Sequence, residues 1–142
     1  MTLNFYPPYG PEAADCEHVG QLTKELRKRN HEVHVMHSID AYNVRASMWN
    51  MELRDRISKD NGTFGLRSTF GRVDPYLTYL LGWSPYVYNS FKRIVNETDP
   101  DVVHHHNISM LGYRILTRQA DYFTLYTAHD YWLVCQKYDL YD

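Results

Sequence analysis

Apolar residues along the chain alternate between the spacing of a β-strand and that of an α-helix. Residues 2–6, TLNFY, form a short β-prone run that ends at two prolines. A helix is predicted from Pro11, with Gly10 as its N-cap, and residues 31–36, HEVHVM, alternate again as a second strand. The helix carries one stripe at helical period, formed by Cys16, Val19, Leu22, Thr23 and Leu26. A strand, a helix and a strand within about thirty residues predict a right-handed βαβ unit.

The later segments continue this alternation. Asn30 is predicted as a left-handed residue that ends the first helix. The elements predicted after the second strand are a weak helix at 41–60, a turn at Asn61-Gly62, an irregular strand within 63–73, a helix at 75–98 that breaks at Ser84-Pro85, a strand at 101–106, a helix at 109–119 and a β-rich run at 122–130. This order predicts an α/β fold, a Rossmann-like three-layer domain with a mostly parallel sheet.

Composition narrows the class of protein without naming a function. With 142 residues, of which 44% are hydrophobic, residues 1–142 are expected to form one domain with its own core. The net charge of −2 gives no basic face, so no nucleic-acid partner is expected. Cys16 and Cys135 share no metal or redox spacing and are interpreted as reduced thiols of a cytoplasmic protein. The apolar stretch YLTYLLGWSPYVY is too short to cross a membrane and is broken by Pro85.

Three consecutive histidines, His104 to His106, end a predicted strand. Because neighbouring side chains of a strand point to opposite faces, His104 and His106 share one face and His105 lies on the other. A metal ion bound by that pair needs a third ligand, which His129 or Asp130 would have to supply. A metal-dependent hydrolase built on these residues is therefore one alternative. The other is that the histidines hydrogen-bond their neighbours or line a cleft.

The carboxyl ends of the predicted strands bring further polar groups to one edge of the sheet. The groups concerned are His106 and Asn107, His129 and Asp130, and Tyr9 and Gly10. In open α/β sheets ligands bind beyond these strand ends. A helix that starts there also offers free N–H groups to an anion such as phosphate. The edge is therefore the predicted binding site.

Three segments, in this order, resemble the N-terminal domain of glycosyltransferase family 4. They are NFYPPYG with the following helix up to LTKELRKRNHEVHV, then DPDVVHHHN, and then YTAHDYWLVC. The likeness covers most of the chain and is weakest over residues 38–90. It implies one half of a GT-B fold, in which two Rossmann-like domains face each other across a cleft. It also implies a retaining transfer from a nucleotide-sugar donor, with no metal and no other cofactor.

The resemblance further implies roles for individual residues. His129 is expected at the cleft, where it hydrogen-bonds the donor sugar, and Asp130 is expected to orient it or its loop; these two are the catalytic candidates. His106 and Asn107 match polar residues on the acceptor side. The expected partner is a sugar or a lipid-linked acceptor, and the protein is expected in the cytoplasm or at the inner face of the membrane.

The loop after the first strand departs from the family pattern. By resemblance, the loop with Tyr9 and Gly10 approaches the donor phosphates or the acceptor. The family carries Gly-Gly-Ala-Glu there, whereas this chain has GPEAADCE, with Ala13 and Ala14 in place of the glycine pair. A Cβ atom at such positions blocks the close approach of backbone to phosphate.

The family's C-terminal, nucleotide-binding domain has no counterpart within residues 1–142. Glu17 and Glu25 have the spacing of that domain's glutamate pair, but they lie on the first helix, so we interpret the match as coincidence. The expected function is the acceptor-side half of a glycosyltransferase, inactive without a C-terminal domain or partner chain. The alternative is a non-catalytic module that binds a saccharide or a partner. Apolar residues 132–134 are expected to favour a weak homodimer.

Overall fold

In the computed structural model, which describes residues 1–4, 14–48 and 62–129, a parallel sheet carries helices on both faces. The strands are β1 (Thr2–Leu3), β2 (Val35–Ser38), β3 (Thr63–Leu66), β4 (Val102–His105) and β5 (Phe123–Tyr126). The helices are α1 (Ala14–Lys28), α2 (Ile39–Met48), α3 (Val73–Leu81), α4 (Pro85–Thr98) and a 3₁₀-helix (Tyr113–Thr117). The predicted α/β, Rossmann-like architecture is confirmed.

The strands lie in the order β3-β2-β1-β4-β5, and all of their pairings are parallel. The chain thus runs outward from β1 through β2 to β3, and then crosses back to β4 and β5. Because such crossovers are right-handed, α1 and α2 cover one face of the sheet and α4 with the 3₁₀-helix covers the other. The order reverses between β1 and β4, and ligands of open α/β sheets bind at such a switch point.

Two apolar cores lie on the two faces of the sheet. Successive side chains of a strand contribute to both cores. In β2, Val35 belongs to one core and Met36 to the other. The core under α1 and α2 contains Leu3, Cys16, Val19, Val35, Ala41 and Tyr42. The core under α4 contains Met36, Leu66, Val87, Phe91, Ile94, Val95, Val103, Ile108, Leu111 and Ile115. These two cores take up the apolar side chains on both faces of the sheet, and the polar site residues lie beyond them at the strand ends.

The predicted break at Ser84-Pro85 is the start of α4. The Ser84 hydroxyl accepts a hydrogen bond from the Val87 N–H at 3.3 Å, and Pro85 occupies the first turn. The helix ends at Asp99, whose φ is 41° and whose N–H donates to the Val95 carbonyl at 2.9 Å. Asn30, with φ 64°, also has the left-handed conformation predicted for it. These local signals were confirmed because capping depends mainly on neighbouring residues.

Two predicted elements are wrong in extent. The second strand starts at Val35 rather than at residue 31, because Val35 pairs with Thr63 and residues 31–34 precede the first residue of either neighbouring strand. The helix predicted at 109–119 is a 3₁₀-helix of five residues. Gly112, immediately before it, has φ 86°, which a right-handed helix cannot contain.

Some predictions concern residues outside the described ranges. They include the helix start at Gly10 and Pro11, residues 5–6 of the first predicted strand, the second half of the helix predicted at 41–60, Cys135, and the apolar residues 132–134. Cys16, by contrast, is described and is a buried thiol whose pKa is raised by burial. Among the described helices, none has the length and apolar character needed to cross a membrane.

Candidate functional site

The carboxyl ends of β1, β4 and β5 meet at one edge of the sheet, where two of the predicted site residues contact each other. The backbone N–H of His106, just after β4, donates to the Thr2 carbonyl at 2.9 Å. His129 follows β5, and its Nε2 atom lies 3.0 Å from Nδ1 of His106. Residues that are 23 positions apart in sequence are thereby joined by one hydrogen bond.

Four imidazole rings gather at this edge, and we call His18, His104, His106 and His129 the histidine cluster. The ring centroids of His104 and His106 are 4.0 Å apart. The ring of His18 lies 5.7 Å from that of His106 and 5.4 Å from that of His129. The sequence interpretation missed His18. A signal existed, because a helix that follows β1 begins near the carboxyl edge, and His18 lies in its second turn.

The predicted alternation of the histidine run is confirmed. His104 and His106 share a face, whereas His105 points to the other one, where its ring is 5.8 Å from that of Phe91. Nδ1 of His105 lies 2.7 Å from the Thr2 hydroxyl, and Nε2 of His104 lies 2.7 Å from the Thr127 hydroxyl. His104 and His105 are therefore tied to neighbouring strands, and the pair nearest to the strand ends is His106 and His129.

Asn107 lies at the same edge, but its side-chain oxygen already accepts hydrogen bonds from other residues of the protein. Its Oδ1 atom accepts hydrogen bonds from Nδ2 of Asn4 at 2.6 Å and from the Ser109 hydroxyl at 3.1 Å. Asn4 also donates to the Ser109 hydroxyl at 2.8 Å and accepts from the Met110 N–H at 2.8 Å. The sequence interpretation did not single out Asn4. This buried amide holds the loop after β4 against the end of β1.

Burial keeps the histidines at the strand ends neutral. Desolvation, helped by the neighbouring His104, His129 and His18, lowers the pKa of His106 to about 3. Desolvation likewise lowers the pKa of His105 to about 4 and also lowers the pKa of His104. At neutral pH the contact between His106 and His129 is therefore one in which His106 is an uncharged imidazole.

This arrangement predicts a loss of stability on mild acidification. A histidine whose pKa is lowered by folding binds fewer protons in the native state than in the unfolded state. The free energy of unfolding therefore falls as the pH drops below the ordinary histidine value of 6.5, and it keeps falling until the pH reaches the native values of about 4 for His105 and about 3 for His106. Each such histidine contributes a slope of up to about 1.4 kcal/mol per pH unit.

Urea unfolding between pH 7 and pH 5 measures this slope. We expect His106→Gln to flatten it, whereas His31→Gln, at an exposed position, should leave it unchanged. Asp40 and Asp74 act in the opposite direction, since burial raises their pKa above the ordinary 3.8, and comparison of His106→Gln with the unaltered chain cancels their common contribution. A stability that is constant or rises over this interval would contradict the expectation.

The metal-hydrolase alternative has no ligand set in the part of the chain that the structure describes. No group of three or more His, Cys, Asp or Glu side chains there could hold a metal ion. The reason is visible in two contacts: Nδ1 of His106 faces His129, and Nε2 of His104 faces Thr127. Asp130, the fourth residue of that alternative, lies outside the described residues.

In all, three predicted site residues lie outside the described ranges. Tyr9 and Gly10 belong to the loop after β1, and Asp130 directly follows His129. Their roles stay predictions. Of the predicted site residues, the structure thus describes His106, Asn107 and His129.

A cavity of about 510 Å³ lies mainly at the amino-terminal edge of the sheet, with His104 as the one member of the histidine cluster in its lining. Its lining includes Val33 and His34, which precede β2, and Pro100 and Asp101, which precede β4. Since ligands of open parallel sheets bind at the carboxyl ends, we place the candidate site at the histidine cluster and not in this cavity.

Comparison with known proteins agrees with this geometry. The family model described as Glycosyltransferase Family 4 matches residues 17–141, which include β2 to β5 and the pair formed by His106 and His129. No curated protein and no solved structure matches the chain significantly. The family match covers most of the sequence, and the α/β parallel sheet is the architecture expected for one half of a GT-B fold. The chain belongs to glycosyltransferase family 4.

Proposed function

We propose that the chain is the acceptor-side half of a retaining glycosyltransferase that uses a nucleotide-sugar donor. The observation that carries the proposal is the hydrogen bond between His106 and His129 at the carboxyl edge of the sheet, beside the switch point of the strand order. His129 is exposed there, so its ring is accessible to a ligand. The acceptor is a sugar or a lipid-linked sugar, and the nucleotide is held mainly by a second domain.

The surroundings of His106 favour one tautomer of the pair. His106 is fully buried, and its Nε2 atom has no hydrogen-bond partner among the described residues. A buried N–H group without an acceptor is rarer in proteins than an unused acceptor, so we assign the lone pair to Nε2 and the proton to Nδ1. His106 then donates to Nε2 of His129, and a neutral His129 carries its own proton on Nδ1.

In this tautomer Nδ1 of the exposed His129 ring is an N–H group and not a lone pair. His106 acts as a positioning residue, because it fixes which nitrogen of His129 carries the proton. His104 and His18 flank the pair, and burial lowers the pKa of His104, so its ring is uncharged beside His106 at neutral pH.

Saccharide binding tests the acceptor-side role. We expect methyl glucoside or methyl mannoside, titrated into the ¹⁵N-labelled chain, to shift the imidazole resonances of His106 and His129. His129→Ala should weaken this binding by about fivefold, which is the effect of one hydrogen bond. His31→Ala, an exposed histidine before β2, is the matched control and should bind as the unaltered chain does. Binding that leaves both resonances unmoved would contradict the proposal.

The need for a second domain is tested by a transfer assay. Incubation of the 142-residue chain with UDP-glucose or GDP-mannose and the same methyl glycosides should give no transfer product. The physical reason is that the donor's binding energy comes mainly from the other domain. One reproducible product formed by these residues alone would show that the chain is not half of a catalytic site.

A further inference from the structure

Helix α3 turns its apolar face toward solvent. Val73, Tyr76, Leu77, Leu80 and Leu81 follow the spacing i, i+3, i+4, i+7 and i+8, so they form one stripe along the helix. All five are exposed, Leu80 by 73% and Leu81 by 63%. The side of α3 that faces the protein is instead occupied by Pro75 and by the polar Thr78, which is fully buried. This is the reverse of an ordinary surface helix, which buries its apolar stripe.

Aromatic residues extend the stripe at both ends of the helix. Phe70 precedes α3 and is 71% exposed, and Trp83 and Tyr86 follow it and are partly exposed. We call the stripe together with these three residues the α3 patch. Contiguous exposed apolar surface of this kind marks an interaction site. Its combination of leucines with tryptophan and tyrosine is typical of segments that lie at a membrane–water interface.

Among residues 62–91, which the structure describes throughout, the exposed charged side chains are positive. They are Arg67 and Arg72. Asp74, the acidic residue of this segment, is only partly exposed and accepts hydrogen bonds from the Ser84 hydroxyl at 3.2 Å. The guanidinium of Arg114 lies 4.7 Å from the centroid of the Trp83 ring and adds a third cation. These cations contrast with the net charge of −2 of the whole chain.

We propose that the α3 patch docks the chain on the surface of an anionic lipid bilayer. The apolar stripe enters the interfacial region, and Arg72 and Arg114 face the lipid phosphates. A second copy of the chain fits less well, because an interface between two identical patches would bring arginines against arginines. Docking at α3 does not depend on the acceptor-side role of the histidine cluster.

Vesicle co-sedimentation of the 142-residue chain tests this surface. We expect the chain to pellet with vesicles of equal parts phosphatidylcholine and phosphatidylglycerol and to stay in the supernatant with phosphatidylcholine alone. The double variant Leu80→Glu, Leu81→Glu should weaken binding by at least about tenfold, because two exposed leucines no longer leave water. Arg72→Ala should weaken it by about fivefold.

The matched control is Phe123→Glu, which places the same charge at a 65% exposed aromatic residue on the outermost strand β5. It should bind the anionic vesicles as the unaltered chain does. Circular dichroism and the midpoint of thermal unfolding establish that each variant is folded. Since the altered leucines are exposed, both values should be retained.

Three results would overturn the proposal. The first is no pelleting with anionic vesicles, and the second is pelleting that the leucine variant does not reduce. The third is a dimer, detected by size-exclusion chromatography with light scattering, that the leucine variant dissociates; the α3 patch would then be an interface between copies. A failure of saccharide binding would leave the docking result standing, so the two proposals are tested separately.

Discussion

Replacing Gly112 with alanine is expected to lower the free energy of unfolding by about 3 kcal/mol. Gly112 has φ 86°, a conformation that L-residues with a side chain rarely adopt. An added Cβ would also lie 2.6 Å from the carbonyl oxygen of Gly82 and 2.7 Å from the Cα atom of Trp83. Both are backbone atoms, which cannot rotate away, so the contact between the loop after β4 and the corner between α3 and α4 must open.

Gly71→Ala is the matched control for this substitution. Gly71 also has a positive φ, 52°, but a Cβ there would meet no atom within 4 Å. It therefore carries only the conformational cost, about 1 kcal/mol. Urea unfolding of the two variants separates the cost of the clash from the cost of the backbone conformation. Equal losses of stability would mean that the loop moves freely away from Gly82.

Replacing Asn4 with alanine is expected to lower the free energy of unfolding by about 3 kcal/mol as well, for a different reason. Asn4 is buried, and its amide makes hydrogen bonds to Asn107, Ser109 and Met110. Alanine leaves one donor, the Met110 N–H, and two acceptors, the Ser109 hydroxyl oxygen and Oδ1 of Asn107, with fewer partners in a region that water does not reach easily. Buried polar groups that lose their partners are costly.

The matched control is Asn96→Ala. Asn96 is also an asparagine whose side-chain oxygen accepts a hydrogen bond, from Arg118 at 2.8 Å, but the contact is exposed. Loss of the Asn96 side chain should change the free energy of unfolding by less than about 0.5 kcal/mol, because water replaces the partner.

We also expect Asn4→Ala to weaken saccharide binding, since the amide of Asn4 holds the loop that follows His106. Unchanged stability would show that the Asn4 network is satisfied by water.

Much of the candidate site followed from local sequence. Side chains alternate between the two faces of any strand, so His104 and His106 had to lie on one face and His105 on the other. The position of His129 at the end of β5 followed from the β-rich run before it. The rule that parallel strands end at one edge then brought His106 and His129 together, and their hydrogen bond at 3.0 Å agrees with that expectation.

Other members of the site were not predicted because their partners are far away in sequence. His18 is exposed on α1 and resembles any solvated helix residue until α1 is placed beside β4 and β5. Asn4 looks like one polar residue in an apolar run, but it hydrogen-bonds residues more than 100 positions later. Neither contact has a signature in local periodicity, because each exists only once the strand order is known.

The sequence by itself determined the type of most elements, because most strands and helices must bury one face, and their periodicity shows which residues form it. The 3₁₀-helix at Tyr113–Thr117 is the exception. The tertiary structure decided which faces are buried. The stripe of α3 and the stripe of α4 have the same spacing, yet Phe91 and Ile94 of α4 lie in the core while Leu80 and Leu81 of α3 face solvent. The sheet offers α4 an apolar surface to cover, whereas α3 lies between β3 and α4 without one, so its exposed stripe became visible only in the folded chain.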